Sequence, residues 1–208
     1  MSPRLRAALA ACALVPLVLT ACARDDGARG RVRIGMVTDV GGLGDRSFND
    51  SAYRGLLRAQ DTLHVKTTVL QSRSAADYQV NMTVLANKGY DEVFAIGFLM
   101  AKDVAEVAER YGDRHFSIVD SVVDEPNVTS VTFKEEEGSF LAGALAAMTS
   151  KAKHVAFLGG IDIALLRKFE AGFAAGAREI DPAVKVDVKY AGSFTEISWT
   201  SASPSCFQ

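Results

Sequence analysis

Between Thr38 and Leu56 the chain reads TDVGGLGDRSFNDSAYRGL, and most of its chemistry-bearing side chains crowd one part of that stretch. Asp39 and Asp45 flank a glycine loop, and Phe48 and Asn49 follow where a helical pattern begins. Glycines ahead of a helix N-terminus can cradle a phosphate. The spacing Gly41-Gly42-x-Gly44 is not the dinucleotide fingerprint, however, and no Gly-Lys-Ser/Thr phosphate loop occurs. Two carboxylates beside such a loop repel a phosphate but can accept hydrogen bonds from the N–H or O–H groups of an uncharged ligand. Charge therefore favours a neutral polar ligand over a nucleotide. A blander reading stays open: a turn whose glycines serve backbone geometry, with Asp39 capping it and Phe48 packed in the core.

The hydrophobic pattern shows what positions these residues. VRIGMVTD (32–39) is a strand entering the glycine loop, and Ser47 can cap a helix carrying Phe48, Ala52 and Leu56. HVKTTVLQ (64–71), DEVFAIGF (91–98), HFSIVD (115–120) and NVTSVTF (127–133) read as further strands. Helical patterns lie between the earlier of them, one from about Ala75 to Gly89 and one ending at Gly112. Strands alternating with helices imply parallel βαβ units and an α/β fold. Open parallel sheets bind ligands beyond the carboxyl ends of their strands. That rule selects Asp39, Gly97 with Phe98, and Asp120. Phe98 can instead be core, and Asp120 can instead cap the loop before Pro126. A helix follows in KEEEGSFLAGALAAMTSK, with Phe140, Leu141, Ala144, Leu145 and Met148 as its apolar stripe. The pattern then restarts with strands at 154–160 and 184–192 around a helix carrying Leu166, Phe169, Phe173 and Ala177.

The 208 residues are 49% hydrophobic and 23% charged, the proportions of a globular protein. A net charge of −2 without a basic block leaves no footprint for nucleic acid. Arg4 and Arg6 precede an apolar run at 7–19 that is too short to span a bilayer, which takes roughly 20 residues. It reads as a secretory leader, residues 1–21. Leu19-Thr20-Ala21-Cys22 resembles a bacterial lipobox, so Cys22 is expected to carry lipid at an extracytoplasmic membrane face; the alternative is an ordinary leader with a chance cysteine. Residues 22–31 read as a flexible tether. With Cys12 removed and Cys22 acylated, Cys206 stands alone, so neither a disulfide nor a thiolate metal site is expected. No H-E-x-x-H or G-x-S-x-G motif occurs. The histidines at 64, 115 and 154 sit near strand starts, away from the expected cleft. No catalytic group, metal or cofactor is therefore assigned.

TDVGGLGDRSFND, the Gly97-Phe98 pair, the run ending at Asp120, NVTSVTFKEEEGSFLAGALAA and FLGGIDIALLRKFEAGFAAGA occur in that order. Together they resemble the basic membrane protein lipoproteins, purine nucleoside receptor-like substrate-binding components of ABC importers. The resemblance implies a two-lobed clamshell of the periplasmic-binding-protein type I class, holding a nucleoside between the lobes. Its partners would be an ABC permease with its ATPase, and the membrane through a lipid anchor. By match, Asp39 meets the base edge and Phe48 stacks on the purine, with Asn49 beside them. Phe194 is placed by position alone as the second lobe's aromatic, opposite Phe48. Rival readings are an exported sensory or adhesive lipoprotein of the same fold, and an enzyme acting on nucleosides. The expected division is a first lobe at 32–134, a crossover helix with a partial second lobe at 135–195, and an aberrant tail at 196–208. That tail, EISWTSASPSCFQ, departs from the family pattern. On this reading the second lobe leaves Val184, Val186 and Val188 largely uncovered, is unstable from about Lys151, and supports little nucleoside affinity.

Overall fold

The computed structural model describes residues 31–194. The leader, Cys22, most of the tether and the 196–208 tail lie outside the described residues. Seven strands and five helices follow in the order β1 (Arg33–Thr38), α1 (Phe48–Leu63), β2 (Lys66–Leu70), α2 (Ala76–Asn87), β3 (Glu92–Ile96), α3 (Ala101–Arg110), β4 (His115–Val119), β5 (Val128–Val131), α4 (Glu135–Thr149), β6 (His154–Gly159), α5 (Ala164–Ile180) and β7 (Lys185–Tyr190). The first five strands form one parallel sheet in the order β2-β1-β3-β4-β5. The side chains of β1 alternate between its faces, as a pleated strand requires. Val37 joins Tyr78, Met82, Leu85, Val104 and Val107 under α2 and α3. Met36 joins Leu56 and Ile96 under α1. Covering both faces is what allows the strands to be continuous apolar runs.

Strand β1 sits between β2 and β3, so the order of connection reverses beside it. The carboxyl ends of β1 and β3, which carry Asp39 and Gly97, thus open into one crevice. The link from β4 to β5 has no helix. Asn127 secures it by donating its amide to the Ala108, Tyr111 and Arg114 carbonyls at the end of α3.

Strands β6 and β7 form a separate parallel pair. Phe157 meets Phe173 and Tyr190 there, with ring centroids 5.9 and 6.3 Å apart. Helix α4 crosses from the first sheet and lies along α5. Its seam is built on glycine rather than on the expected apolar stripe: a Cβ at Gly143 would overlap the Phe173 carbonyl, and one at Gly176 the Phe140 carbonyl. Backbone-to-backbone approach therefore sets the helix rotation. It leaves Leu141, Leu145 and Met148 at 70, 61 and 69% exposure, contrary to the expected burial. The β-branched run also departs from expectation. Val184 is buried and precedes β7, and Val186 and Val188 are half-buried rather than uncovered.

Candidate functional site

The glycine loop after β1 is shaped by carboxylates. Asp45 accepts hydrogen bonds from the backbone N–H groups of Ser47, Asn49 and Asp50 at 2.9, 2.8 and 3.1 Å. Asp50 accepts from those of Gly44 and Arg46 at 2.8 and 2.9 Å. Ser47 makes no side-chain cap bond, so the expected serine cap is replaced by Asp45. The carboxylate wins because its two oxygens satisfy three free amides at the positive end of the helix. Asp45 thus holds the loop and also lines the cavity described below. Burial pushes its carboxyl up, but the Ser47, Asn49 and Asp50 amides outweigh this and the net shift is downward. A group depressed on folding stabilises the protein above its unfolded value, near 3.8, and loses that contribution as pH falls through the folded value. Asp45→Ala is expected to cost about 1–2 kcal/mol of stability at neutral pH. The difference from the parent should shrink below about pH 4, as urea unfolding at neutral and acid pH will show.

Asp39 is held differently. Its Oδ1 accepts from the Gly41 N–H and from Asn49 Nδ2, both at 2.8 Å. Its Oδ2 has no donor among the described residues. Asn49 also reaches Asp45 Oδ2 at 3.3 Å, so two carboxylates fix which end of its amide donates. The Asn49 Oδ1 is then a buried acceptor with no protein partner among the described residues. At the end of β3, Gly97 adopts φ 118°, a conformation that favours glycine. A Cβ there would stand 3.3 Å from Asp39 Oδ2 and 3.5 Å from the Phe48 ring, so the missing side chain leaves the crevice floor open.

A cavity of about 430 Å3 occupies this place, within the usual 300–1,000 Å3 of small-molecule sites. All seven residues expected from sequence line it: Asp39, Phe48, Asn49, Gly97, Phe98, Asp120 and Phe194. Phe48 serves two purposes, since it also packs against the core beneath α1. Phe194 meets Phe98 edge-on with centroids 5.9 Å apart, so the second lobe's aromatic touches the first lobe at Phe98. Asp120 sits in left-handed backbone at φ 65°. Its carboxylate caps nothing in the following loop among the described residues. Burial pushes that carboxyl up, Glu135 adds to the rise, and Lys168 opposes it.

Helix α5 adds Leu165, Leu166 and Phe169, which sequence reading did not assign to the site. The helical pattern carries Leu166 and Phe169, and periodicity alone cannot separate a core face from a cavity wall. The cations nearest in sequence to these residues are already paired. Arg167 takes Asp162 at 2.6 and 3.0 Å, and Lys168 takes Glu135 at 2.9 Å. Among the described residues no Lys or Arg lines the cavity. Among the described residues no group of acidic, His and Cys side chains could hold a metal, and no helix is long and apolar enough to cross a membrane.

Residues 32–203 match the family described as Bmp, ABC transporter substrate-binding protein PnrA-like. The ABC transporter nucleoside-binding protein BmpA of Lactococcus lactis is 38% identical over 190 residues, 86% of this chain and 54% of that protein. The CD4+ T-cell-stimulating antigen of Listeria innocua is 37% identical over 178 residues, 83% of this chain and 50% of that one. The chain thus spans about half the length of the curated relatives it matches. A solved ABC transporter solute-binding protein of Aeropyrum pernix superposes with a TM-score of 0.69 at 31% identity, covering 77% of this chain and 48% of its own. By the parallel α/β lobes, the cavity between them and these matches, the chain belongs to the Bmp family of PnrA-like ABC transporter substrate-binding proteins.

Proposed function

We propose that the chain is the solute-binding part of an ABC importer and takes a purine nucleoside, or a similarly flat and neutral polar molecule, into the cavity between its lobes. One observation carries this reading: a cleft that joins aromatic rings to the open carboxylate oxygen of Asp39 with no cation among its described lining residues. Phe48, Phe98, Phe169 and Phe194 offer rings, and stacking is worth about 1–3 kcal/mol per base. Asp39 Oδ2 suits the amino and imino donors of a purine edge. The buried Asn49 Oδ1 also lacks a donor, a state that costs about 1–3 kcal/mol unless one is supplied. A phosphorylated ligand would meet Asp39 and Asp120 with no compensating charge. The Lactococcus relative, named a nucleoside-binding protein, supports the same ligand class. Binding at this cavity needs no catalytic group.

Calorimetric titration with adenosine, guanosine and inosine, beside their 5′-monophosphates, tests the reading. Saturable heat is expected with at least one nucleoside and none with its monophosphate. Heat from the monophosphates alone would reverse the charge argument, and silence from every nucleoside would remove the ligand class.

Anchoring through Cys22 belongs to the same proposal. Cys22→Ser is expected to abolish acylation and move the protein from the membrane to the soluble fraction. A single chain binds membranes only marginally, whereas several anchor stably. Unchanged fractionation of the serine variant in cells would count against the lipobox.

A further inference from the structure

A second cavity, of about 580 Å3, lies at the opposite end of the first sheet, where β1 and β2 begin. Arg31, Arg33, His64 and Lys66 line it with Thr68 and Tyr90, and among the described residues no Asp or Glu does. Some lysines elsewhere in the fold have a carboxylate within 4 Å, among them Lys134, Lys153, Lys168 and Lys185. Arg31, Arg33 and Lys66 form no ion pair with any described residue. What distinguishes the three is that they gather at one pocket in a chain of net charge −2.

The pocket is also organised. The Arg33 guanidinium stacks 4.3 Å from the Tyr90 ring centroid and donates from Nη1 to the Lys88 carbonyl at 2.6 Å. The Tyr90 hydroxyl in turn donates to Thr68 Oγ1 at 2.6 Å. Those contacts hold a planar fork in place, and a preset fork loses less freedom when it binds. Asp91, next to Tyr90 in sequence, spends its Oδ2 on the Arg33 backbone N–H at 2.8 Å. Burial pushes the Tyr90 phenol up, yet Thr68, Arg33 and Lys88 outweigh it and the net shift is downward, as a positive local field requires.

We propose that this pocket binds a phosphoryl anion, with Arg33 as the fork and Arg31 and Lys66 supplying the surrounding charge. Arginine pairs with phosphate through two parallel hydrogen bonds. The site is separate from the nucleoside cavity, and its existence does not rest on that reading. Two sources share the chemistry: a phosphodiester headgroup of an anionic lipid, and free phosphate. Arg31 lies nine residues after Cys22, within roughly 30 Å of extended chain, so an anchor at Cys22 would bring headgroups within reach.

The test compares the full chain with the double variant Arg31→Gln, Lys66→Gln. Both side chains are exposed and make no hydrogen bond to a described residue, and matched thermal melts will establish that the variant folds. Sedimentation with phosphatidylcholine vesicles, with and without phosphatidylglycerol, measures the lipid arm. Equilibrium dialysis against labelled inorganic phosphate measures the other. A basic residue near an anionic surface is worth about fivefold in binding, so the double variant should bind the anionic vesicles roughly 25-fold more weakly. Binding to the neutral vesicles should not change, because neither substitution alters an apolar surface. A loss confined to the phosphate arm keeps the site and assigns it a free anion. If the parent binds neither probe, or the variant binds both as the parent does, the proposal is overturned.

Discussion

Gly176→Val is expected to unfold the second lobe while the first remains folded. Helices α4 and α5 touch through backbone, and the atom that a new Cβ at 176 would overlap is the Phe140 carbonyl oxygen. A side-chain neighbour could rotate away. A carbonyl inside a helix cannot, so relief requires the helices to separate and the reciprocal approach of Gly143 to Phe173 to be given up as well. Overpacking commonly costs about 1–3 kcal/mol, and a clash with rigid backbone belongs at or beyond the upper end. Gly176→Ala isolates the seam, because alanine gains about 1 kcal/mol of helix propensity and still meets the same carbonyl. A net loss of stability with alanine shows that contact outweighs propensity. Hydrogen exchange reads the outcome: amides of 154–190 should exchange fast in the valine variant while those of β1, β3 and β4 stay protected. Equal protection of both lobes in variant and parent would mean that the seam does not hold the second lobe together.

The largest effect on binding is expected at Asp39. Alanine there removes the open Oδ2 and also frees the Gly41 N–H and the Asn49 amide, which Oδ1 now holds. A hydrogen bond to a charged group contributes about 1.5–3 kcal/mol, so nucleoside affinity should fall roughly 10- to 150-fold. Asp39→Asn separates the two roles. It keeps an oxygen for the loop but places a donor where Oδ2 accepts, so the loop should survive and the affinity should still drop. Calorimetry with the best nucleoside ligand, beside the thermal melt of each variant, gives both readouts. If the asparagine variant binds as the parent does, Oδ2 is not the ligand's partner.

The strand and helix order was legible because each element has its own period and stop. β1 alternates Met36 and Val37 between two covered faces, and α2 ends before Gly89. The cavity-lining positions were legible for a topological reason: Asp39, Gly97 and Asp120 follow the carboxyl ends of neighbouring strands, where the switch in strand order opens the sheet. Two kinds of residue escaped. Hydrophobic periodicity ranks leucine and methionine above glycine, so it chose Leu141, Leu145 and Met148 for the face of α4 that Gly143 occupies. It also cannot tell that Leu166 and Phe169 look onto a void. The loop-holding role of Asp45 was not legible because its three backbone partners become visible only once the loop is folded. Cation pairing at Lys168 and Arg167 decides the charge of the cavity, and in the case of Lys168 the partner, Glu135, lies 33 positions away.

The edge-on meeting of Phe98 and Phe194 has a consequence for which guests are admitted. The two rings meet across the lobes at the cavity, and such a pair is worth about 0.5–1.5 kcal/mol. An incoming molecule competes with this contact, which lowers its apparent affinity roughly two- to tenfold relative to a protein held open. The competition is unequal among guests. A flat aromatic molecule exchanges one ring contact for others, whereas a sugar or an amino acid without a ring loses that contact outright. On the proposed function, the phenylalanine pair is expected to favour planar guests over ringless ones of equal size.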